Sequence, residues 1–362
     1  MTQKEQKWKE NFIRIEPYKA GEQPGSDDVI KLNANENPYP PAPGVEAVLR
    51  AVSADGLRRY PQADGADLRR ALAAEQGLDP SRVFVANGSD EVLALAFRSF
   101  FNAKRPVLFP EITYSFYPVW CELFGIPYRR VALGEDFRIR AEDYLSENGG
   151  VVLANPNAPT GLALSLAEIE RIVSSNGDSV VIVDEAYVDF GARSAVGLTS
   201  AYENLLVTQT FSKGRALAGL RLGMAFGHAD LIAVLGAVKN SFNSYPVDSV
   251  AAAAGVASLA DRAYFEKRAA QVIATRERCA AALRGLGFFV TDSAANFLFV
   301  THADADAAAL LAYLKERGVL VRHFTLPAIE RYLRITVGTD AETDVFLAAV
   351  SDFLRKGREH AF

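Results

Sequence analysis

Residues 180–187 read VVIVDEAY. The first four are apolar and β-branched with no polar alternation, the pattern of a strand covered on both faces. Asp184 then places a carboxylate at the strand's C-terminal end, where open α/β sheets hold their ligands. Similar apolar runs lie at 107–109, 151–154, 205–207 and 222–226. Between them come amphipathic stretches such as SLAEIERIVSS at 165–175, which opens on a Ser165-x-x-Glu168 capping box. This alternation, from about residue 66 to 240, predicts an α/β fold with a mostly parallel sheet between helices.

Beyond the Tyr245-Pro246 turn the pattern changes. It predicts a long helix over 248–285, a strand at 297–300 and a helix over 304–317 stopped by Gly318. Strands at 319–322 and 332–336 and a closing helix complete a smaller α+β unit. The segment NANENPYPPAP at 33–43 reads as an arm. The expected division is therefore an arm over 1–45 that contributes to the smaller unit and the active site, a large domain over 46–246, and a small domain over 247–362.

Composition narrows the function. The chain has 362 residues, 49% hydrophobic and 23% charged, with a net charge of −5. That balance argues against nucleic acid or an anionic membrane as the main partner, so any anion site must be local. The two cysteines, Cys121 and Cys279, read as reduced thiols in a cytosolic protein. The N-terminus, MTQKEQKWKENF, has no apolar stretch of a secretion signal. The Ala-rich run at 250–260 is too short and too weakly apolar to span a membrane. A soluble cytoplasmic protein is expected.

Several chemistries are excluded by motif. A nucleotide-phosphate loop needs G-x-x-x-x-G-K, and no lysine here follows a glycine. There is no complete G-x-G-x-x-G and no G-x-S-x-G elbow. The histidines, at 228, 302, 323 and 360, lack metal-ligand spacing, so no metal is expected.

What remains is a strand-end Asp184, Tyr187 three residues on, and Lys213 within QTFSKGRALAGLRLG at 209–223. A pyridinium needs such a set. Pyridoxal phosphate drains electrons from a substrate's α-carbon when a carboxylate keeps its ring nitrogen protonated, a role that suits Asp184. Tyr187 can bond the ring oxygen, and Lys213 can form the Schiff base and then move the α-proton. For the phosphate, Asn87-Gly88-Ser89 leads into a helix whose free N–H groups favour an anion, and Ser212 and Arg221 add donors. Alone, each of these is an ordinary cap or surface residue; together and in this order they define a site.

This constellation resembles the fold type I pyridoxal-phosphate aminotransferases, most closely the histidinol-phosphate aminotransferase family. The resemblance rests on LNANENP at 32–38, RYP at 59–61, NGSDE at 87–91, TYSFYP at 113–118, NPNAPTG at 155–161, VDEAY at 183–187, TFSKGRALAGLRLG at 210–223, ANFLF at 295–299 and LRITVGT at 333–339. It implies Lys213 as the Schiff-base lysine, Asp184 on the ring nitrogen and Tyr187 on the ring oxygen. It implies Ser89, Asp90, Ser212 and Arg221 around the phosphate, Tyr114 stacked on the ring, and Tyr60 reaching the phosphate from the partner subunit of a homodimer. Tyr18, Asn35, Arg322 and Arg334 are implied around the substrate. The implied small molecules are histidinol phosphate or imidazole-acetol phosphate, with glutamate or 2-oxoglutarate. An aromatic amino acid aminotransferase and a phosphothreonine-type decarboxylase would use the same residues.

The chain departs from that family at one position. The family usually reads N-N-P-T-G, with its second Asn bonding the ring oxygen; here the residue is Ala158. Asn157, Asn155 or a water must replace that bond, or Tyr187 works alone.

Overall fold

The computed structural model describes residues 8–18, 21–23, 25, 28–102 and 104–359, without the side chains of 358 and 359. His360 and the first seven residues of the expected arm lie outside the described residues. The strands are β1 (Ile30–Leu32), β2 (Val83–Asn87), β3 (Val107–Pro110), β4 (Tyr128–Val131), β5 (Gly150–Ala154), β6 (Val181–Asp184), β7 (Leu205–Thr210), β8 (Leu222–Phe226), β9 (Phe288–Val290), β10 (Phe297–His302), β11 (Val319–His323) and β12 (Leu333–Thr336). They form a seven-stranded sheet ordered β2-β8-β7-β6-β5-β3-β4 and a five-stranded sheet ordered β1-β11-β12-β10-β9. In the larger sheet β4, β3, β5, β6 and β7 run parallel, while β8 is antiparallel to both β7 and β2.

The apolar runs of the sequence are explained by which face each residue meets. In β6, Val181 and Val183 enter one apolar layer and Ile182 the other. The same division separates Val151 and Leu153 from Val152 in β5, and Leu205 and Val207 from Leu206 in β7. Each such side chain stabilises the fold by about 1.5–3 kcal/mol, so the central strands carry no polar face. The helix expected over 165–175 is Leu166–Ser175. Both halves of its capping box are made, Glu168 N donating to Ser165 Oγ at 3.3 Å and Ser165 N to Glu168 Oε2 at 2.7 Å.

Strands β1, β2 and β9 are additional to the sequence reading, and two further features differ from it. The helix expected over 248–285 is two helices, Ser249–Ala260 and Arg262–Gly285. Asp261 lies between them and caps the second by accepting from Tyr264 N at 3.1 Å. The first packs on helices Pro43–Arg50 and Ala66–Gln76 and sends Ala251 and Ala254 into the same layer as Val181. The second difference is β4, an edge strand reading YRRV whose two arginines are exposed, so it has no apolar run to detect.

The two sheets are joined by direct bonds. Arg276, in helix Arg262–Gly285, donates through Nη1 to Phe190 O at 2.7 Å and to Ala295 O at 2.9 Å. Thr291 Oγ1 donates to Thr160 O at 2.7 Å, tying the turn after β9 to the loop after β5. The arm enters the smaller sheet as β1, parallel to β11. Among the described residues no helix is long and apolar enough to cross a membrane.

Candidate active site

The C-terminal ends of the parallel strands open onto a cavity of about 210 Å³. Its wall includes Asp184, Tyr187, Ser212, Lys213 and Arg221 from the larger sheet, Ser89, Asp90 and Tyr114 from the segments beside it, Arg322 and Arg334 from the smaller sheet, and Tyr18 and Asn35 from the arm. Twelve of the fourteen residues expected at the site thus meet at one place. Asn157 and Tyr60 do not line it.

Asp184 ends β6 in register with Thr208 of β7. It is 4% exposed, and removal from water pushes its carboxyl up to about 6. Tyr117, donating to Oδ2 at 2.8 Å, and Thr208, donating to Oδ1 at 3.4 Å, pull the other way. A buried carboxylate of this kind is stabilised by a cationic partner, such as a protonated ring nitrogen. Tyr117 carried no role in the sequence reading, although it falls within TYSFYP. Its spacing of three from Tyr114 was the available signal: the two rings meet edge-on at 5.7 Å, Tyr114 donating to Asp90 and Tyr117 to Asp184.

Lys213 follows β7 by three residues. Its Nζ donates to Ala34 O at 3.2 Å and lies 5.8 Å from the Tyr187 ring centre. Burial, reinforced by Arg334, lowers its amine to about 8, against the opposing pull of Glu36 and Asp90. An amine tuned this far can be neutral near physiological pH, as a nucleophile and proton carrier must be. The arm also grips the lysine's backbone: Asn37 Nδ2 donates to Lys213 O at 2.9 Å and to Gly214 O at 3.2 Å.

The anion-binding end is built on helix Gly88–Phe100. Gly88 has φ +79, and a Cβ there would sit 2.6 Å from Arg221 Nη2, so only glycine lets that guanidinium approach the first N–H groups of the helix. Arg221 itself adopts a left-handed φ of +53 at the turn before β8. Asp90 accepts from Arg221 Nη2 at 3.1 Å and from Tyr114 OH at 2.7 Å, fixing both side chains. Burial, with Asp90 beside it, pushes the Tyr114 hydroxyl far up, so this tyrosine stays neutral.

From the smaller sheet, Arg322 and Arg334 stand in register across the antiparallel β11 and β12. Arg334 donates to Asn33 O at 3.1 Å, but its buried Nε has no hydrogen-bond partner among the described residues. A guanidinium with a donor left over in a cavity is suited to an anionic ligand. Tyr18 stacks on Phe116 at 4.2 Å beside them.

The two residues off the wall are accounted for. Asn157 is buried. Its amide donates to Ile112 O at 3.0 Å and Thr160 Oγ1 at 3.1 Å and accepts from Thr113 Oγ1 at 2.8 Å. Asn155 is equally committed, accepting from Leu164 N at 2.7 Å. Both amides are thus engaged by neighbouring protein groups, Asn155 Nδ2 also reaching Leu164 O at 3.5 Å. Tyr60 is 82% exposed and stacks on Tyr245 at 4.6 Å.

The cavity's chemistry fits pyridoxal phosphate: a carboxylate for the ring nitrogen, a hydroxyl for the ring oxygen, an amine for the aldehyde, and a helix N-terminus with a guanidinium for the phosphate. Fold and site define a pyridoxal-phosphate-dependent aminotransferase. The family model for class I and II aminotransferases matches residues 27–350. A histidinol-phosphate aminotransferase of Lactococcus lactis subsp. cremoris (strain SK11) is 50% identical over 355 residues, 98% of this chain and 99% of that protein. One of Acinetobacter baumannii (strain SDF) is 54% identical over 338 residues, 92% of this chain and 94% of that protein. Among solved structures, the Sinorhizobium meliloti histidinol-phosphate aminotransferase in complex with pyridoxal-5'-phosphate superimposes with a TM-score of 0.82 at 26% identity, covering 90% of this chain and 91% of that one. The chain belongs to the histidinol-phosphate aminotransferase family, within the class I and II aminotransferases.

Proposed function

We propose that this enzyme exchanges an amino group between histidinol phosphate and 2-oxoglutarate, as histidine biosynthesis requires. The observation that carries this reading is the in-register pair Arg322 and Arg334 on the cavity wall. One substrate carries a phosphate and no α-carboxylate, the other two carboxylates, and paired guanidiniums can fork onto either anion. The relatives named above support the same substrate.

Bound pyridoxal phosphate supplies the electron sink for the substrate's α-carbon. Around it, Asp184 would hold a proton on the ring nitrogen, and Tyr187 would donate to the ring oxygen. Ser89, Ser212 and Arg221 would hold the phosphate, with Asp90 orienting Arg221. Tyr114 would cover one ring face. Lys213, released when substrate takes its place, would carry the proton at the α-carbon from the nitrogen now anchored by Ala34 O. Arg322, Arg334 and Tyr18 would orient the substrate.

We further place the enzyme in the cytoplasm as a homodimer, with Tyr60 of one protomer reaching the phosphate site of the other. The exposure of Leu57, Tyr60, Phe242 and Tyr245 together supports an apolar contact there. For the division of the chain, a large unit over 46–246 and a small one over 247–362 with the arm is our proposal.

The test is a half-reaction screen. Purified protein loaded with pyridoxal phosphate is mixed with one amino donor at a time, and the cofactor's absorption is followed. Histidinol phosphate and glutamate should convert it promptly and aromatic amino acids slowly. Arg322→Ala should weaken conversion by histidinol phosphate about 10- to 100-fold, the size of a lost charge-assisted bond. Fast conversion by aromatic amino acids with histidinol phosphate inert, or release of carbon dioxide from phosphothreonine, would overturn the assignment.

A further inference from the structure

The hydrogen bonds around Asn35 fix which way the Tyr187 hydroxyl must point. A backbone N–H can only donate, and that of Asn35 donates to Thr336 Oγ1 at 2.9 Å. The Thr336 hydroxyl, having accepted there, has a single proton to give, and Asn35 Oδ1 lies 3.1 Å away to receive it. The amide oxygen is therefore held on Thr336, and the amide nitrogen faces Tyr187. It donates to the Tyr187 hydroxyl at 2.9 Å. The tyrosine oxygen acts as an acceptor, so its own proton has to go elsewhere.

Only one direction is open to that proton. Phe297 stands edge-on to the Tyr187 ring at 5.1 Å, and the side chains of Ala158 and Ala295 complete an apolar wall with no acceptor. The remaining side is the cavity that Tyr187 lines. Burial keeps the hydroxyl protonated, with Arg334 and the Asn35 bond pulling its pKa partway back. Asn35 is itself held on all sides. It is 1% exposed, has a left-handed φ of +55, and its carbonyl accepts from Asn296 Nδ2 at 3.0 Å. Asparagine tolerates that backbone region better than most residues. With both amide atoms engaged inside the protein, Asn35 has little left to offer a substrate.

We propose that Thr336 and Asn35 are a positioning pair that commits the Tyr187 hydroxyl to donate into the cavity, onto the ring oxygen of bound pyridoxal phosphate. The pair compensates for Ala158, which carries no donor of its own. It joins β12 of the smaller sheet to a side chain of the larger one through the arm, so the cofactor's protonation is set across both units. The inference rests on the cofactor site and not on the substrate assignment.

The experiment is a pH titration of the absorption of bound pyridoxal phosphate, with no substrate present, so its failure is distinct from failure of the donor screen. The charged and titratable groups facing Tyr187 are Arg334, Lys213, Asp184, Asp90, Tyr18, Tyr114 and Tyr117, and the variants leave all seven in place. Thr336→Val frees the Asn35 amide to turn its oxygen toward Tyr187, which would then donate to Asn35. A donor on the ring oxygen favours the cofactor form that has lost its proton. Losing the donor should raise the titration midpoint by about one pH unit. Thr336→Ser should titrate like the wild type, and so should Asn35→Ala, which offers no competing acceptor and leaves the cavity as the outlet for the Tyr187 proton. In a Tyr187→Phe background, Thr336→Val should produce no further shift. An unchanged midpoint in cofactor-loaded Thr336→Val, a shift in Asn35→Ala as large as in Thr336→Val, or an equal shift with and without Tyr187, would overturn the proposal. So would loss of cofactor from all three variants, Thr336→Ser included, which would mark the pair as structural only.

Discussion

Asp184 shows how one residue's surroundings become a measurable property. Its carboxyl titrates near 6 because burial disfavours the charge, so without cofactor the folded chain holds a proton there that the unfolded chain releases near 3.8. Folding is therefore favoured less as pH rises through that window. In the cofactor-free protein, Asp184→Asn should gain stability over the wild type between about pH 4 and pH 7, by roughly 3 kcal/mol at completion. Paired thermal melts across that range test this. With pyridoxal phosphate bound, the gain should vanish, because the ring nitrogen then compensates the charge. A flat difference between the two cofactor-free proteins would contradict the burial argument. Asp184 and Lys213 were legible because each declares itself within its own strand-end segment. Tyr117 and Thr336 were not, and Asn35 was read as a substrate contact rather than a partner of Tyr187, because their partners lie 67 to 301 positions away in the chain.

At the scale of elements, the cofactor end depends on how closely β8 approaches helix Gly88–Phe100. A Cβ at Gly223 would lie 2.2 Å from the backbone carbon of Gly88 and 2.3 Å from Ser89 N. Gly223→Ala must push the first turn of that helix away from Ser212 and Arg221, at a cost of about 1–3 kcal/mol. The expected result is a folded protein with weakened pyridoxal-phosphate affinity, read by equilibrium titration of cofactor absorption. Retention of wild-type affinity would show that the anion site does not need this contact. The capping box at Ser165 and the paired apolar runs were readable because both are local rules of a single element. The break at Asp261 was not, since an apolar Ala-rich run passes into a polar helix without proline or glycine at the joint. What separates the two helices is where each packs: one on helices Pro43–Arg50 and Ala66–Gln76, the other near Phe190 and β9.

At the scale of the whole molecule, the site exists because two sheets and an arm converge. The larger sheet contributes the amine, the acid and the anion end; the smaller contributes the arginines; the arm touches Lys213, Tyr187 and Arg334 within the span 33–37. If the enzyme is a dimer sharing Tyr60, inactive variants should complement each other. Equal amounts of Lys213→Ala and Tyr60→Ala, dissociated and reassembled together, should recover up to about a quarter of wild-type activity, since half the dimers are mixed and each has one intact site. No recovery above the separate variants would place Tyr60 outside the neighbouring site. The sequence by itself determined the layered α/β architecture, the order of its central strands' residues across two apolar faces, and most of the residues that meet at the cavity, because periodicity and strand-end motifs are properties of short contiguous segments. Only the tertiary structure decided that Asn157 is a structural amide, that Tyr117 bonds Asp184, and that Thr336 and Asn35 aim Tyr187. Hydrogen-bond direction depends on which distant groups are brought within about 3 Å, and no local pattern encodes that.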